Sequence, residues 1–280
     1  MALKPHPNRL ALGYVWEYNG RLVGNVTLLT TKMRERYLIV NVAVHPDFRR
    51  QGIARLLMNA ALGQVRQRRG REILLQVDKD NDSAIHLYST LGYQNLGSMT
   101  TWMASAGRIH AIEDASPTPI RELDSSESQA AYKLDVLALR PDLNWPEPVP
   151  PDAYQFGLWR QFSNFINGRR AEIWVTTNGR SLTGSAALWS EWGRTHQLTL
   201  RVHPHWQEKW NGRYSPKITR RLPYLPRRNV RIDHPDADEP TTELLQAANF
   251  KPRRTLTHMR LDITWTRSNP WPAQKNVCKS

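Results

Sequence analysis

Cysteine, long apolar runs and acidic residues are scarce in this sequence of 280 residues. Its one cysteine, Cys278, cannot form an internal disulfide, which fits a reducing compartment and argues against a thiol nucleophile. No run approaches the roughly 20 apolar residues that a membrane-spanning helix needs, and no apolar stretch follows the first basic residues as a secretory signal requires. We therefore expect a cytoplasmic protein with no membrane partner.

Basic residues outnumber acidic residues by 39 to 25, which gives a net charge of +14. Such a surplus indicates an anionic partner, for example a phosphorylated cofactor or a nucleic acid. The surplus is spread over the parts before and after Ala115, and its densest cluster lies at 201–230. A solvated surface is the simplest interpretation of that cluster, so we do not expect nucleic acid as the partner.

Residues 10–105 predict an α/β domain with a mixed sheet. Asn19-Gly20 joins two β-rich runs and is a strong hairpin signal, because both turn residues accept positive φ. Apolar residues between 53 and 65 recur at helical spacing, and Gly70 supplies the helix stop. The order hairpin, strand, helix, strand, helix, strand is typical of a sheet flanked by helices.

Three landmarks of this part recur 157 to 159 residues later along the chain. Asn178-Gly179-Arg180 repeats Asn19-Gly20-Arg21, Val202-His203-Pro204 repeats Val44-His45-Pro46, and Ala248-Asn249-Phe250 stands where Leu91-Gly92-Tyr93 stood. A fixed offset between several landmarks predicts a tandem duplication. We expect one domain over 1–110, a second over 119–265 and a tail over 266–280.

The segment that precedes the hairpin is about 40 residues shorter in the first copy than in the second. We therefore expect the first domain to lack its N-terminal strand and two helices. A bare apolar sheet face of that size is rare on a soluble monomer. Either the second domain or a second copy of the chain, as a homodimer, should cover it.

The turn after Val42-Ala43-Val44 has the composition of an anion site. Arg49-Arg50-Gln51-Gly52-Ile53-Ala54 opens an apolar helix, and the free N–H groups and the dipole of a helix N-terminus favour negative charge. Gly52 admits a ligand close to the backbone, and the arginines add charge-assisted contacts. A solvated basic turn is the alternative interpretation of these residues.

Together with Asn81, Tyr88 and Leu91-Gly92-Tyr93, this turn resembles the GCN5-related N-acetyltransferase (GNAT) family. The resemblance covers residues 10–105, with a degenerate echo over 120–263. It implies two tandem GNAT-like domains, each a mixed, mostly antiparallel sheet flanked by helices. It also implies an acyltransferase that transfers an acetyl group from acetyl-CoA to a primary amine. The family reaction needs no metal. The sequence does not identify the acceptor, which is either a small molecule or a protein.

The resemblance assigns roles to the matching positions of this chain. The main chain of Val42, Ala43 and Val44 would pair with the pantetheine arm and polarise the thioester carbonyl. Asn81 would contact the cofactor, although a helix N-cap explains it equally well. Tyr88 would protonate the leaving thiolate, although core packing is the alternative. The residues that would hold the pyrophosphate are Arg49, Arg50, Gln51, Gly52, Ile53, Ala54 and Arg55.

The general base stays open at this point. Some members of the family carry Glu where this sequence has Gln76, which cannot take up a proton. Asp78 projects from the same strand face by the two-residue period, and Glu17 lies on the hairpin. These two carboxylates and ordered water are the candidates.

The second copy departs from the pattern at the same positions. Aligned on the landmarks, Gln207, Trp210 and Gly212 replace the residues of the turn, and Leu245 replaces the tyrosine. We therefore expect one acetyl-CoA per chain, bound in the first half. The alternative, from another functional class, is a non-catalytic GNAT-like protein whose basic stretch from Arg201 to Arg228 engages nucleic acid or another polyanion.

Overall fold

The computed structural model describes residues 2–5, 12–110, 120–145, 148–155, 157, 166–179, 181–209 and 221–263. These residues form two compact units. Unit 1 holds the described residues of Met1–Thr30, Arg34–Leu74 and Leu261–Ser280, and unit 2 holds those of Thr31–Met33 and Leu75–Arg260. The domain bounds 1–110 and 119–265 follow the sequence repeat instead, and they remain a prediction.

The described residues of unit 1 form four complete strands and one long helix. Its strands are β1 (Ala2–Pro5), β2 (Leu12–Tyr18), β3 (Arg21–Thr30) and β4 (Arg36–Val44), and its helix is α1 (Ile53–Gln67). The four strands pair antiparallel in chain order. A fifth strand, β5 (Glu72–Asp78), begins in unit 1 and ends in unit 2.

The predicted hairpin between β2 and β3 is confirmed. Asn19 and Gly20 have φ values of 48° and 76°, both in the left-handed region. The pairing of the two strands continues to Tyr18 and Arg21, directly beside the turn. A two-residue turn of this conformation matches the twist of its strands, which is why Asn-Gly is favoured there.

Helix α1 packs one face on the strands of unit 1. It ends where Arg69 takes a φ of 59° and Gly70 follows. A Cβ on Gly70 would lie 2.3 Å from Cγ1 of Val65, so the predicted stop requires glycine. No helix in the described part of the chain is long and apolar enough to cross a membrane. The buried residues of α1 are Ile53, Leu57, Met58, Ala61 and Val65.

Among the described residues, unit 2 contains the remaining helices and strands, apart from Leu261 and Asp262 at the end of the last strand, which belong to unit 1. The helices are α2 (Asp82–Thr90), α3 (Ser128–Ala138) and α4 (Glu239–Ala247). The strands are β6 (Gln94–Ser105), β7 (Ile120–Glu122), β8 (Arg169–Asn178), β9 (Ser181–Glu191), β10 (His196–Val202), β11 (Asn229–Pro235) and β12 (Lys251–Asp262). Their order in space is β12-β6-β11-β10-β9-β8-β7. Only β10 and β11 are parallel among these pairs, so the predicted mixed, mostly antiparallel sheet is confirmed.

One detail of the expected fold is wrong, because the first repeat does have an N-terminal strand. Strand β1 pairs antiparallel with β2, as β7 pairs with β8 in the second repeat. The four residues of β1 are too few to show a two-residue period, so the sequence pattern could not reveal them. The expectation that two helices are missing between these strands agrees with the chain length, because only residues 6–11 separate β1 from β2.

The centre of the sheet in unit 2 shows the duplication directly. Strand β6 closes the first repeat, β12 closes the second, and the two are antiparallel neighbours. Oγ of Ser98 lies 3.0 Å from Oγ1 of Thr257, and Oγ1 of Thr100 lies 2.9 Å from Oγ1 of Thr255. Ser98 corresponds to Thr255 in the repeat, and Thr100 corresponds to Thr257. The two contacts are therefore copies of each other, related by a local two-fold.

The same symmetry extends to the strand ends. Lys79 and Asp236 are repeat mates, 157 residues apart, and they form an ion pair. The N–H of Lys79 donates to the carbonyl of Thr255, and the N–H of Asp236 donates to the carbonyl of Ser98. Each repeat thus places its last strand beside the preceding strand of the other repeat. The repeats exchange their closing strands.

Helix α3 is fixed on the sheet of unit 2 by a buried polar cluster. The carboxylate of Asp135, 3% exposed, pairs with the guanidinium of Arg201, 6% exposed. The hydroxyl of Tyr154 donates to the second carboxylate oxygen of Asp135 at 2.6 Å. Ala131 and Leu134 are buried beside this cluster. The charges are tolerated in the core because each has a hydrogen-bonded partner.

We predict that Asp135→Leu lowers the free energy of unfolding by about 3–5 kcal/mol, because it leaves the Arg201 guanidinium buried without its counter-charge. The double variant Asp135→Leu, Arg201→Met should lose clearly less, since both charges are removed together. Urea denaturation followed by circular dichroism measures both values. Equal losses in the single and double variants would contradict a coupled buried pair.

Candidate functional site

In unit 1, β4 runs directly into the predicted anion-binding turn. Nδ1 of His45 accepts a hydrogen bond from the N–H of Asp47 at 3.4 Å, so the chain leaves the sheet in a short 3-10 turn, Pro46–Phe48. Nε of Arg49 then donates to the carbonyl of Val44 at 3.2 Å. The turn is thereby tied to the end of β4.

The start of α1 is open to solvent and to ligands. Gly52 caps the helix with a φ of 78°, and no side chain provides a cap hydrogen bond. The first helical bond runs from the N–H of Leu56 to the carbonyl of Gly52, so the earlier N–H groups have no partner within the helix. Arg50 is also left-handed, with a φ of 59°. Turns of this kind aim successive N–H groups into a concavity that suits an anion.

The predicted residues 49–55 are gathered in this one turn. Arg49, Arg50 and Arg55 are exposed around it, and a Cβ on Gly52 would meet nothing within 4 Å. Gln51 is exposed as well, and its Nε2 donates to the carbonyl of Asp47 at 3.4 Å. Ile53 is buried and anchors the helix, whereas Ala54 is half-buried and keeps the first turn small. The turn therefore combines free donors with positive charge.

Strand β4 is irregular just before the segment expected to meet the pantetheine arm. Asn41 has a φ of 53°, and the register with β3 shifts between Asn25 and Thr27. Nδ2 of Asn25 donates to the carbonyl of Asn41 at 2.6 Å and holds the irregularity. A β-bulge of this kind bends the strand and re-aims its main chain. The segment 42–44 follows the bulge, with Ala43 exposed.

Gly24 on β3 is a positioning residue that the sequence analysis missed. A Cβ at this position would lie 3.2 Å from Cγ2 of Ile53 and 3.2 Å from Cδ1 of Leu57. It would also lie 3.3 Å from the carbonyl oxygen of Ala43. The first turn of α1 can approach the sheet this closely only because the side chain is absent. A glycine inside a strand pattern is the signal that could have revealed it.

In unit 2, Asn81 acts as the N-cap of α2. Its Oδ1 accepts hydrogen bonds from the N–H of Ala84 at 3.1 Å and from the hydroxyl of Ser83 at 3.0 Å. The capping alternative is therefore realised in the structure. A contact between Asn81 and a cofactor stays a prediction.

Tyr88 lies in the last turns of α2 and is 6% exposed. Its ring centre is 6.0 Å from that of Tyr93, in a tilted arrangement. Burial raises the pKa of the Tyr88 hydroxyl. At neutral pH this phenol is consequently protonated and can donate a proton.

Each candidate for the general base has a partner. In unit 1, Glu17 accepts a hydrogen bond from Nζ of Lys4 at 2.7 Å. In unit 2, Asp78 accepts one from Nε of Arg254 at 2.8 Å. Gln76 contacts a ring nitrogen of a buried histidine at 2.9 Å. The two carboxylates are therefore engaged in ion pairs, and neither is singled out as the base.

The partner of Gln76 is His258 on β12, which the sequence analysis did not single out. The side chain is 3% exposed, and its ring lies edge-on to Trp145 with 5.5 Å between the ring centres. Its Nδ1 has no hydrogen-bond partner among the described residues. Burial lowers the pKa of His258 to about 4, so the ring is neutral at pH 7.

The second repeat keeps the scaffold of α2 but not its chemistry. Asp238 caps α4 and accepts a hydrogen bond from the N–H of Thr241 at 3.2 Å, as Asn81 does for α2. The N–H of Phe250 donates to the carbonyl of Leu245 at 2.8 Å, in the place of the bond between Tyr93 and Tyr88. Leu245 is therefore the structural mate of Tyr88, and it carries no acid. Trp210 and Gly212 lie outside the described residues, and Gln207 falls in the 3-10 turn Pro204–Lys209.

Three described arginines of the basic stretch serve internal contacts, whereas a fourth, Arg227, is exposed. Arg201 is buried with its aspartate partner. Arg221 makes two hydrogen bonds to the carboxylate of Glu172, at 2.9 and 2.8 Å. Arg228 donates to two main-chain carbonyls, those of Glu191 and Arg194. These contacts weaken the alternative in which this stretch forms a polyanion-binding face.

The predicted family resemblance is confirmed by comparison with known proteins. Residues 3–93 match the acetyltransferase (GNAT) family. A crystal structure of a GCN5-related N-acetyltransferase from Sphaerobacter thermophilus is similar to this chain with a TM-score of 0.54 and 16% identity. That likeness covers 90% of this chain and 80% of the other, and at this identity it shows the shared fold.

Two related sequences carry N-acetyltransferase names. An uncharacterised N-acetyltransferase of Methanocaldococcus jannaschii is 33% identical over 101 residues, which is 34% of this chain and 45% of that protein. The [ribosomal protein bS18]-alanine N-acetyltransferase of Escherichia coli is 29% identical over 107 residues, covering 38% of this chain and 71% of that protein. The chain thus spans less than half the length of the first of these relatives.

We predict opposite effects of alanine at two glycines that contact or belong to α1. Gly24→Ala should lower the free energy of unfolding by about 1–3 kcal/mol, because the added methyl group presses on the first turn of the helix. Gly63→Ala should raise it by about 0.5–1 kcal/mol, because the helix interior gains a better helix former, and the added Cβ meets nothing within 4 Å. Chemical denaturation of both variants measures the difference. Equal signs would contradict the role assigned to Gly24.

Proposed function

We propose that this chain is an acetyl-CoA-dependent N-acetyltransferase that transfers an acetyl group to a primary amine. The observation that carries the proposal is the open start of α1, with Gly52 left-handed and uncapped and with arginines around it. This turn lies inside the segment that matches the GNAT family. The N-acetyltransferase names of the two related sequences support the same reaction class. The lone cysteine supports a reducing, cytoplasmic location.

The turn from Arg49 to Arg55 is proposed to hold the pyrophosphate of acetyl-CoA. The first N–H groups of α1 have no partner within the helix and can donate to phosphate oxygens. Arg50 and Arg55 are exposed beside them and can add bidentate contacts. The role of Gly52 is steric, since any side chain there would stand between the phosphate and the main chain.

The main chain of residues 42–44 is proposed to bind the pantetheine arm and to polarise the thioester carbonyl. The bulge at Asn41 supports this role, because it bends β4 just before this segment, whose pairing with β3 resumes at Ala43 and Val44. An N–H aimed at the carbonyl oxygen stabilises the negative charge that develops when the amine attacks. The bond between the carbonyl carbon and sulfur then breaks, and the amine nitrogen keeps the acetyl group.

Tyr88 is proposed to supply the proton that the departing thiolate takes up. Burial raises the pKa of its hydroxyl, so the phenol is fully protonated at neutral pH. The attacking amine must lose one proton in the same reaction. Glu17 and Asp78 lie in solvent-accessible ion pairs, so these two carboxylates and ordered water stay the candidates for the group that takes up this proton.

Gly52→Trp should abolish acetyl-CoA binding, while the parent chain should bind one acetyl-CoA. The indole would cover the N–H groups at the start of α1, and the second repeat has Gln207 and Trp210 in place of Arg49 and Gly52. Isothermal titration calorimetry gives both the affinity and the stoichiometry. Gly179→Trp is a matched control, because Gly179 is also left-handed, with a φ of 61° and nothing within 4 Å of an added Cβ.

The control separates backbone strain from blockage of the site. Both substitutions impose a left-handed conformation on tryptophan at a cost of about 1–2 kcal/mol. Binding that survives Gly52→Trp, or two equivalent sites per chain, would overturn the assignment of the turn. Loss of binding in Gly179→Trp as well would point to a general effect of strain.

Tyr88→Phe should lower kcat by about 10²–10⁴-fold, the usual contribution of an acid–base residue, with little change in acetyl-CoA affinity. Tyr93→Phe is the matched control, since Tyr93 is also buried and burial likewise raises its pKa. Because the raised pKa keeps Tyr88 protonated, the rate should show no alkaline decline from this group below about pH 10. Release of free thiol from acetyl-CoA, with a panel of amine acceptors, measures the rate. Unchanged turnover in Tyr88→Phe would return Tyr88 to a packing role.

A further inference from the structure

A cavity lies within unit 2, and its described lining includes no residue of the turn at Gly52. It has a volume of about 520 Å³. Its floor is one row of residues that pair directly across strands β8, β9, β10, β11 and β6. Residues paired in this way lie on the same face of a sheet. The row consists of Ala171, Trp189, Gln197, Arg231 and Met103.

Arginine dominates the wall of this cavity. Arg169, Arg170 and Arg194 line it together with Arg231, whereas Glu191 is the one acidic residue of the described lining. A lining with this balance attracts anions and repels cations. The volume of the cavity lies in the range of small-molecule sites.

The carboxylates near the wall leave positive charge uncompensated. Glu191 is shared by Arg169 and Arg194, each at 3.4 Å, which is long for a charge-assisted hydrogen bond. Glu172 is shared by Arg170 at 3.1 Å and Arg221 at 2.8 Å. Arg231 of the floor pairs with Asp233 at 2.9 Å. The four lining arginines therefore share three carboxylates, while Arg221 lies outside the described lining. The lining keeps a surplus of one positive charge.

The guanidinium groups of the wall keep donors for a ligand. The side chains of Arg169, Arg170 and Arg194 are 54%, 70% and 73% exposed. Ion pairs at such exposure contribute little and exchange readily. Each guanidinium has five N–H donors in a planar fork that matches the oxygens of a phosphate. The existing ion pairs therefore leave N–H donors of these arginines available to a ligand.

We infer that this cavity binds a small phosphorylated molecule. A phosphate monoester carries about −1.5 to −2 charges at pH 7, so it can accept hydrogen bonds from several guanidinium groups of the lining at once. Trp189 and Met103 in the floor provide an apolar surface for the remainder of the ligand. Apart from Met103 on β6, the site is built from the second repeat, which lacks the counterpart of Tyr88, so the role assigned is binding. This inference stands without the proposed acetyltransferase activity.

The test uses inorganic pyrophosphate as the probe and Gly52→Trp as the background, so that the turn at α1 does not contribute. Calorimetric titration at low salt should show saturable binding. Adding Arg169→Ala and Arg194→Ala should weaken it by about tenfold or more, since two charge-assisted donors are lost. Glu191→Gln should strengthen it several-fold, because it removes the competing carboxylate. Arg227→Ala, an exposed arginine outside the cavity, is the matched control and should change nothing.

Weaker pyrophosphate binding in the Arg169, Arg194 variant and stronger binding in Glu191→Gln would distinguish a defined site from general attraction to a basic protein. Equal weakening in Arg227→Ala and in the Arg169, Arg194 variant would overturn the inference in favour of diffuse charge. No saturable binding in the Gly52→Trp background would overturn it as well. Citrate that binds as tightly as pyrophosphate would overturn the choice of phosphate over carboxylate. Circular dichroism of every variant shows that the fold is retained.

Discussion

The antiparallel pairing of β6 with β12 is the constraint on which unit 2 depends. Each of these strands closes one repeat, yet each lies beside the preceding strand of the other repeat. An unpaired strand edge exposes a row of N–H and C=O groups, and the exchange covers both edges at once. The seam is self-complementary, as at a two-fold dimer interface, although both halves belong to one chain.

Local features of the fold could be predicted from the sequence, because short segments decide them. The Asn19-Gly20 turn, the stop of α1 at Gly70 and the cap at Asn81 follow from residue types with strong backbone preferences. The repeat offset was also readable, and the structure places its mates in equivalent contacts. The turn from Arg49 to Arg55 belongs to the same group, since its residues are consecutive.

Features that depend on distant partners could not be predicted. The exchange of closing strands depends on the pairing between β6 and β12, which lie about 160 residues apart in the sequence. The sequence pattern of each repeat would be the same if each repeat kept its own closing strand. Gly24 matters because helix α1 packs closely against it. The bulge at Asn41 is held by a hydrogen bond from the side-chain amide of Asn25, on the neighbouring strand. The arginine-lined cavity combines five strands, none of which carries the signal alone.

The exchange of closing strands also sets the order in which this protein can be completed during synthesis. Ser98 on β6 meets Thr257 on β12 across 159 residues of sequence. Translation at about 5–20 residues per second separates these two partners by roughly 8–32 seconds. Over that interval β6 leaves the ribosome without the neighbour that it has in the native sheet. Until β11 and β12 have been synthesised, both edges of β6 lack the strands that cover them in the native sheet.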